Sequence, residues 1–249
     1  MLLISTDGCR VFIRSSGVLK SLLPLATQPR HPSVHVPLLE TISALALDPV
    51  TAMECVSASL HMSLVVLITN AEDNNVKRAA GTVLAVLAEA CPDSQMAVIR
   101  CRAITAVEEL LKSRDIACAA VAVRCLAATI SDRAIRQELL SSRGCLISLL
   151  GHTSQVSKTD DNGMWVNTAN VLASLSCEPQ SESIFMECGA LQALLNLTHG
   201  PIETRCLALS ALANVTCNDS DVRIVLTTCG ATERIINMLS VKVLRAINT

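Results

Sequence analysis

Apolar positions along this chain recur on two periods. The short one is helical. Around Ile42, Leu84, Leu126, Leu172 and Leu212, mostly apolar or small residues fall at −8, −4, 0 and +3. Offsets of three and four place them on one face of an α-helix. The −8 set is Val34, Val76, Cys118, Met164 and Thr204, and the +3 set is Leu45, Leu87, Thr129, Leu175 and Val215. Positions −3 and −1 are also small or apolar, so each helix can be approached closely on more than one side. The long period is set by the anchors themselves, which lie 42, 42, 46 and 40 residues apart.

An independent pattern keeps the same long period. A Gly followed by apolar residues at +2 and +5 occurs at Gly17, Gly144, Gly189 and Gly230, and in weaker form from Ala58 and Arg102, with spacings of 41, 44, 42, 45 and 41. Each long helix then runs into a polar turn: Asp48-Pro49, Cys91-Pro92-Asp93, Ser131-Asp132, Glu178-Pro179 and Asn218-Asp219. Such residues stop one helix and cap the next. The apolar clusters that follow, such as Ile184-Phe185-Met186, predict a short helix before each Gly. The repeating unit is a short, a medium and a long helix in about 42 residues.

The unit resembles the armadillo repeat, in which a polar turn leads to a short helix ending in Gly-Ala-Leu and a long helix ending in Leu-x-Asn-Leu. Its best copies are Glu187-Cys-Gly189-Ala-Leu191-Gln-Ala-Leu194-Leu195 and Leu209-Ser-Ala-Leu212-Ala-Asn214-Val215-Thr. HEAT repeats are the nearest competitor. Three helices per unit and the Gly before the second favour armadillo. The resemblance spans essentially the whole chain. It implies an all-α, right-handed α-solenoid of about five and a half repeats in a single array over 1–249: 5–48, 49–91, 92–132, 133–178, 179–218 and a partial 219–249.

Both ends read as cut. The chain enters directly into a short helix, Arg10 to Ser16, and Val241 to Thr249 is too short for a full long helix. Uncapped end layers would expose apolar surface, so a fragment or isoform of a longer protein, or an end covered by a partner, is expected. Val241 to Ile247 folding back as a shortened cap is the alternative. The polar stretch Gly151 to Gly163 reads as a solvated loop, with Ser154, Ser157 and Thr159 as candidate modification sites.

Composition narrows the chemistry. With two Phe, one Trp and no Tyr, the core must be aliphatic, as stacked helical layers allow. A net charge of −2 and pI near 6.2 provide no field for nucleic acid. Apolar runs fall short of the roughly 18 to 20 residues of a spanning helix. The twelve Cys include no Cys-x-x-Cys pair and read as small buried hydrophobes in a reducing compartment. The five His are scattered, and the sequons at Asn196, Asn214 and Asn218 lie in or beside helices. No phosphate loop, His-Glu-x-x-His or Gly-x-Ser-x-Gly motif occurs. Asp160-Asp161 is the one passable carboxylate pair. No catalytic residue, cofactor, metal or small-molecule substrate is expected.

The resemblance implies a non-enzymatic scaffold that holds a protein or peptide segment along a groove lined by the long helices. A regulatory armadillo domain of a larger protein is the alternative. Members include vacuolar, junctional and ciliary or flagellar proteins, and a cytoplasmic setting, with cytoskeletal or ciliary association possible, is expected. In importin-α-like members, Trp at about −2 and Asn at +2 form a ladder along the groove. Here the −2 column reads Glu40, Thr82, Arg124, Asn170 and Ser210, and the +2 column Ala44, Val86, Ala128, Ser174 and Asn214. Only Asn214 matches, so a nuclear-localisation-signal ligand is disfavoured. Trp165, at −7, is expected to pack or lie at a rim. Arg78 and Arg124 are the cations expected near the groove centre. The contact candidates are Glu40, Arg78, Arg124, Asn170, Ser210 and Asn214.

Overall fold

In the computed structural model, residues 17–27, 32–113, 115–156, 162–218 and 220–236 are described. They form helices and turns, with no strand among them. The expected helix Arg10 to Ser16, Asp160-Asp161, Ser157, Thr159 and Val241 to Thr249 lie outside the described residues.

The chain divides into two compact units, residues 1–152 and 153–249. The first contains α1 (Val18–Ala26) and α2 (Pro32–Leu45), then two full short–medium–long sets. These are α3 (Pro49–Ser57), α4 (Leu60–Asn70) and α5 (Asn74–Ala90), followed by α6 (Pro92–Arg100), α7 (Ala103–Lys112) and α8 (Ile116–Thr129). The short α9 (Arg133–Ser141) and most of α10 (Arg143–Val156) complete it. The second unit contains α11 (Asn162–Leu175), α12 (Ser181–Cys188), α13 (Ala190–Leu197), α14 (Ile202–Asn218) and α15 (Ser220–Thr228), and residues 231–236 are again helical.

Within the first unit the long helices α2, α5 and α8 pack side by side, and within the second α11 packs along α14. The anchors behave as their spacing requires: Ile42, Leu84, Leu126, Leu172 and Leu212 are all at most 3% exposed. Close packing is enforced where a side chain would not fit. A Cβ on Gly81 of α5 would stand 2.8 Å from Val121 Cγ1 and 2.9 Å from Leu110 Cδ1. In the second unit Gly200 lies against the Trp165 ring so tightly that any Cβ would overlap it. Trp165 is therefore a packing residue, buried against backbone. No single helix among the described residues is long and apolar enough to cross a membrane.

The turns before the medium helices correct two expectations. Gly17, Gly189 and Gly230 do adopt left-handed backbone, with φ of 71°, 78° and 74°. In the second repeat that turn falls at Ser59 (φ 57°), one residue after Ala58, which puts Leu64 rather than Ser63 at the buried +5 position. Arg102 takes it in the third (φ 60°). Gly144 does not: it lies inside α10, which is preceded by Ser142 at φ −87° and ψ 80°. Leu146 and Leu149 are still fully buried, so the packing register holds while the turn changes.

The stretch from Gly151 is not wholly a loop. α10 continues to Val156, and His152 and Thr153 are buried. His152 Nε2 lies 3.0 Å from the Leu111 carbonyl at the end of α7. His35 makes the same contact with the Ala26 carbonyl that ends α1. Both rings satisfy orphan carbonyls at medium-helix ends. The cysteine expectation is also half corrected. Cys55, Cys118, Cys125 and Cys145 are buried, but Cys177, Cys206, Cys217 and Cys229 are exposed.

Candidate functional site

Position −2 on each long helix lies two residues before a buried anchor, which turns it away from the core. The structure leaves this column accessible throughout: Glu40 and Ser210 are exposed, and Thr82, Arg124 and Asn170 half-buried. The +2 column is less open, since Val86 is buried and Asn214 half-buried. The six candidates divide three and three. Glu40, Arg78 and Arg124 belong to the first unit, and Asn170, Ser210 and Asn214 to the second.

In the first unit, Arg124 of α8 forms a fork with Glu89 at the end of α5. Nε donates to Oε1 at 2.8 Å and Nη2 to Oε2 at 2.6 Å. Both side chains remain about a third exposed, at 36% and 38%. The hydrogen bond to Glu89 raises the Arg124 pKa further above its ordinary value, with the carboxylate's charge adding to it. Arg124 is thus a positioned, charge-balanced group rather than a lone cation. Glu89 was not among the sequence candidates. Its signal was readable: it sits at +5 on one long helix where Arg124 sits at −2 on the next. Arg78, half-buried on the first turns of α5, is close enough that its charge draws down the Cys118 thiol pKa, although burial dominates there and raises it. Glu40 stands exposed on α2.

In the second unit, Asn214 reaches back from α14 to the turn after α11. Its Nδ2 donates to Ser176 Oγ at 3.0 Å and to Cys177 Sγ at 3.3 Å. This amide ties one layer to the previous one. Asn170 and Ser210, one on each long helix, leave polar atoms at the surface. Each unit therefore carries a short row of accessible polar side chains along its long helices.

Nucleophilic chemistry finds no support in the buried thiols. Burial pushes Cys55, Cys125 and Cys145 up to about 12 and Cys101 up to about 11, so they stay protonated at neutral pH. Among the described residues no cluster of three His, Cys, Asp or Glu side chains is arranged to hold a metal ion.

The chain is similar to solved structures over most of its length. Computationally designed armadillo repeat proteins for modular peptide recognition share 18% identity at a TM-score of 0.75, covering 89% of this chain and 92% of that one. The fold is armadillo-like. An engineered protein is 23% identical, with 89% and 90% of the two chains covered and a TM-score of 0.73. A designed armadillo repeat protein in complex with the peptide (KR)4 is 19% identical, with 86% and 89% covered and a TM-score of 0.70. No family model and no curated protein matches the chain.

Proposed function

We infer that this protein is a non-enzymatic scaffold that binds a segment of another protein along the exposed faces of its long helices. The observation that carries this reading is the −2 column: Glu40, Thr82, Arg124, Asn170 and Ser210 are all polar and all accessible, each beside a buried anchor. Within each unit, repetition of one polar position per layer presents an extended backbone with repeated partners. Designed proteins of the same fold, one built for modular peptide recognition and one solved with (KR)4, use the architecture to bind peptides. The ligand of this chain differs in chemistry from (KR)4. Arg124 is balanced by Glu89, and neither unit's row is basic, with Glu40, Thr82 and Arg124 in the first and Asn170 and Ser210 in the second, which favours a mixed polar segment. A reducing, cytoplasmic setting suits its buried free thiols.

The test is selection of peptides from a random display library on the whole chain, followed by titration of the best binder against variants. Glu40→Ala and Arg78→Ala in the first unit, and Asn170→Ala and Ser210→Arg in the second, are expected to weaken it about tenfold in at least one unit. A selected peptide whose affinity is untouched by all four would place binding elsewhere and remove the reading.

A further inference from the structure

Arg124 and Glu89 satisfy each other only in part. A guanidinium carries five N–H donors and a carboxylate about four lone pairs. The fork uses Nε–H, one Nη2–H and one lone pair on each carboxylate oxygen. Of the five donors three remain, and each Glu89 oxygen keeps a lone pair. Neither side chain has a further partner among the described residues, and both are about a third exposed. Their surroundings leave the pair open. One turn to either side of Arg124 stand Ala120, Val121, Ala127 and Ala128, all half-buried and all too short to cover it. On α5, Ala85 and Val86, one turn before Glu89, are buried. The pair is also held in advance. Gly81 of α5 lies close against Val121 of α8, and the side-chain amide of Gln95 donates to the Ala128 carbonyl, one turn beyond Arg124.

We propose that the Arg124–Glu89 fork is the specificity-determining contact of the first unit, and that it takes a primary carboxamide, the side chain of an Asn or Gln in the bound segment. The fork leaves donors beside acceptors, so the ligand group must offer an acceptor beside a donor. A carboxylate has acceptors alone, and one of its oxygens would face Glu89. An ammonium or guanidinium has donors alone and would face Arg124. Either ion would also compete for one arm of the fork and leave the other charge short of its partner. A hydroxyl joins both roles in one atom and reaches one side of the pair. A trans peptide group has both, but its N–H points away from its C=O. The primary carboxamide holds C=O and N–H side by side in one plane. Its oxygen accepts from Arg124, its nitrogen donates to Glu89, and no charge is displaced. This inference rests on the proposed function, whose row includes Arg124, and adds the side chain that the row selects.

The experiment starts from the best peptide selected from the random library on the whole chain. Each of its positions is changed in turn to Ala. Binding is measured to the wild type, to Glu89→Gln, and to the exchanged pair Arg124→Glu with Glu89→Arg. One Asn or Gln is expected whose change to Ala weakens wild-type binding about tenfold, and whose change to Asp or Glu weakens it at least as much. On Glu89→Gln, which leaves Arg124 unbalanced, the acidic peptide should bind as tightly as the amide peptide or tighter. On the exchanged pair the amide peptide should keep its affinity, because a carboxamide turned over about its C–C bond meets the exchanged partners equally well. A binder without Asn or Gln, or one whose Asn and Gln positions respond alike in all three proteins, overturns the inference, while the four row variants still test the proposed function. Loss of the amide peptide on an exchanged pair that melts as the wild type does also overturns it. Failure to select any peptide removes the proposed function and this inference with it.

Discussion

The two units solve one packing problem with different chemistry. In the first, α5 and α8 are joined at the surface by the Arg124–Glu89 ion pair, and four cysteines are buried in the core. In the second, α11 and α14 are joined by the neutral amide of Asn214 on Ser176 and Cys177, and the described cysteines are exposed or half-buried. The layer spacing is protected by Gly81 against flexible aliphatic ends in one unit and by Gly200 against a rigid indole in the other. A repeat thus fixes where a contact must occur, while leaving open which chemical groups make it.

The contrast in cysteines gives the largest expected effect. In the folded first unit, burial holds Cys55, Cys125 and Cys145 up to about 12 from an ordinary value of 9.0. Between those values the unfolded chain releases thiol protons that the folded unit retains. Stability is therefore fully present below pH 9 and falls as pH rises toward 12, by up to about 1.4 kcal/mol per pH unit for each thiol. Hydrogen exchange resolved along the chain is expected to show α3, α8 and α10 loosening above pH 9 before α11 and α14. Uniform loosening would mean that the buried thiols do not control alkaline stability. In the same sample, iodoacetamide at neutral pH should label Cys177, Cys206, Cys217 and Cys229 quickly, and Cys55, Cys118, Cys125 and Cys145 only on unfolding.

The glycine contacts come next. Gly200→Ala must displace the Trp165 ring, and a cost of about 1–3 kcal/mol is expected in urea unfolding. Gly81→Ala meets the far ends of Leu110 and Val121, which can turn aside, so its cost should be the smaller. The reverse order would show that the α5–α7–α8 packing is the less yielding.

Turn substitutions sharpen the comparison further. Gly189→Ala places a side chain at φ 78° and should destabilise by about 1–2 kcal/mol. Gly144→Ala, inside α10 with nothing within 4 Å of the new Cβ, should stabilise by about 0.4–1 kcal/mol. Calorimetry on the pair separates a Gly required by backbone conformation from one that merely keeps the spacing of the pattern. The smallest effect belongs to the surface ties. A double-mutant cycle on Arg124→Gln and Glu89→Gln should give about 0.2–1 kcal/mol, shrinking in 1 M salt. The Asn214–Ser176 cycle should be insensitive to salt.

Much of the candidate site was legible in outline. The −2 column could be read because two residues along a helix is about half a turn from the buried anchor, and Glu40, Arg124, Asn170 and Ser210 keep surface there, whereas Val86 at +2 is buried. The role of Asn214 was not legible. Its position resembles a ligand-binding column, but its amide is committed to a turn 37 and 38 residues earlier. Glu89 was missed because the columns were read one helix at a time, while its partner sits on the next.

What the sequence determined by itself is the repeat: its period, three-helix unit and buried anchors. These follow from a local rule, the 3.6-residue turn, which acts between residues close along the chain. Only the tertiary structure decided that Gly144 is helical, that the second turn falls at Ser59, and that α10 runs on to Val156 over a buried His152. It alone decided which cysteines are hidden and that Arg124 meets Glu89. Two of these rest on groups 41 and 35 residues apart meeting across a layer, His152 on the Leu111 carbonyl and Arg124 on Glu89, contacts that no local preference encodes.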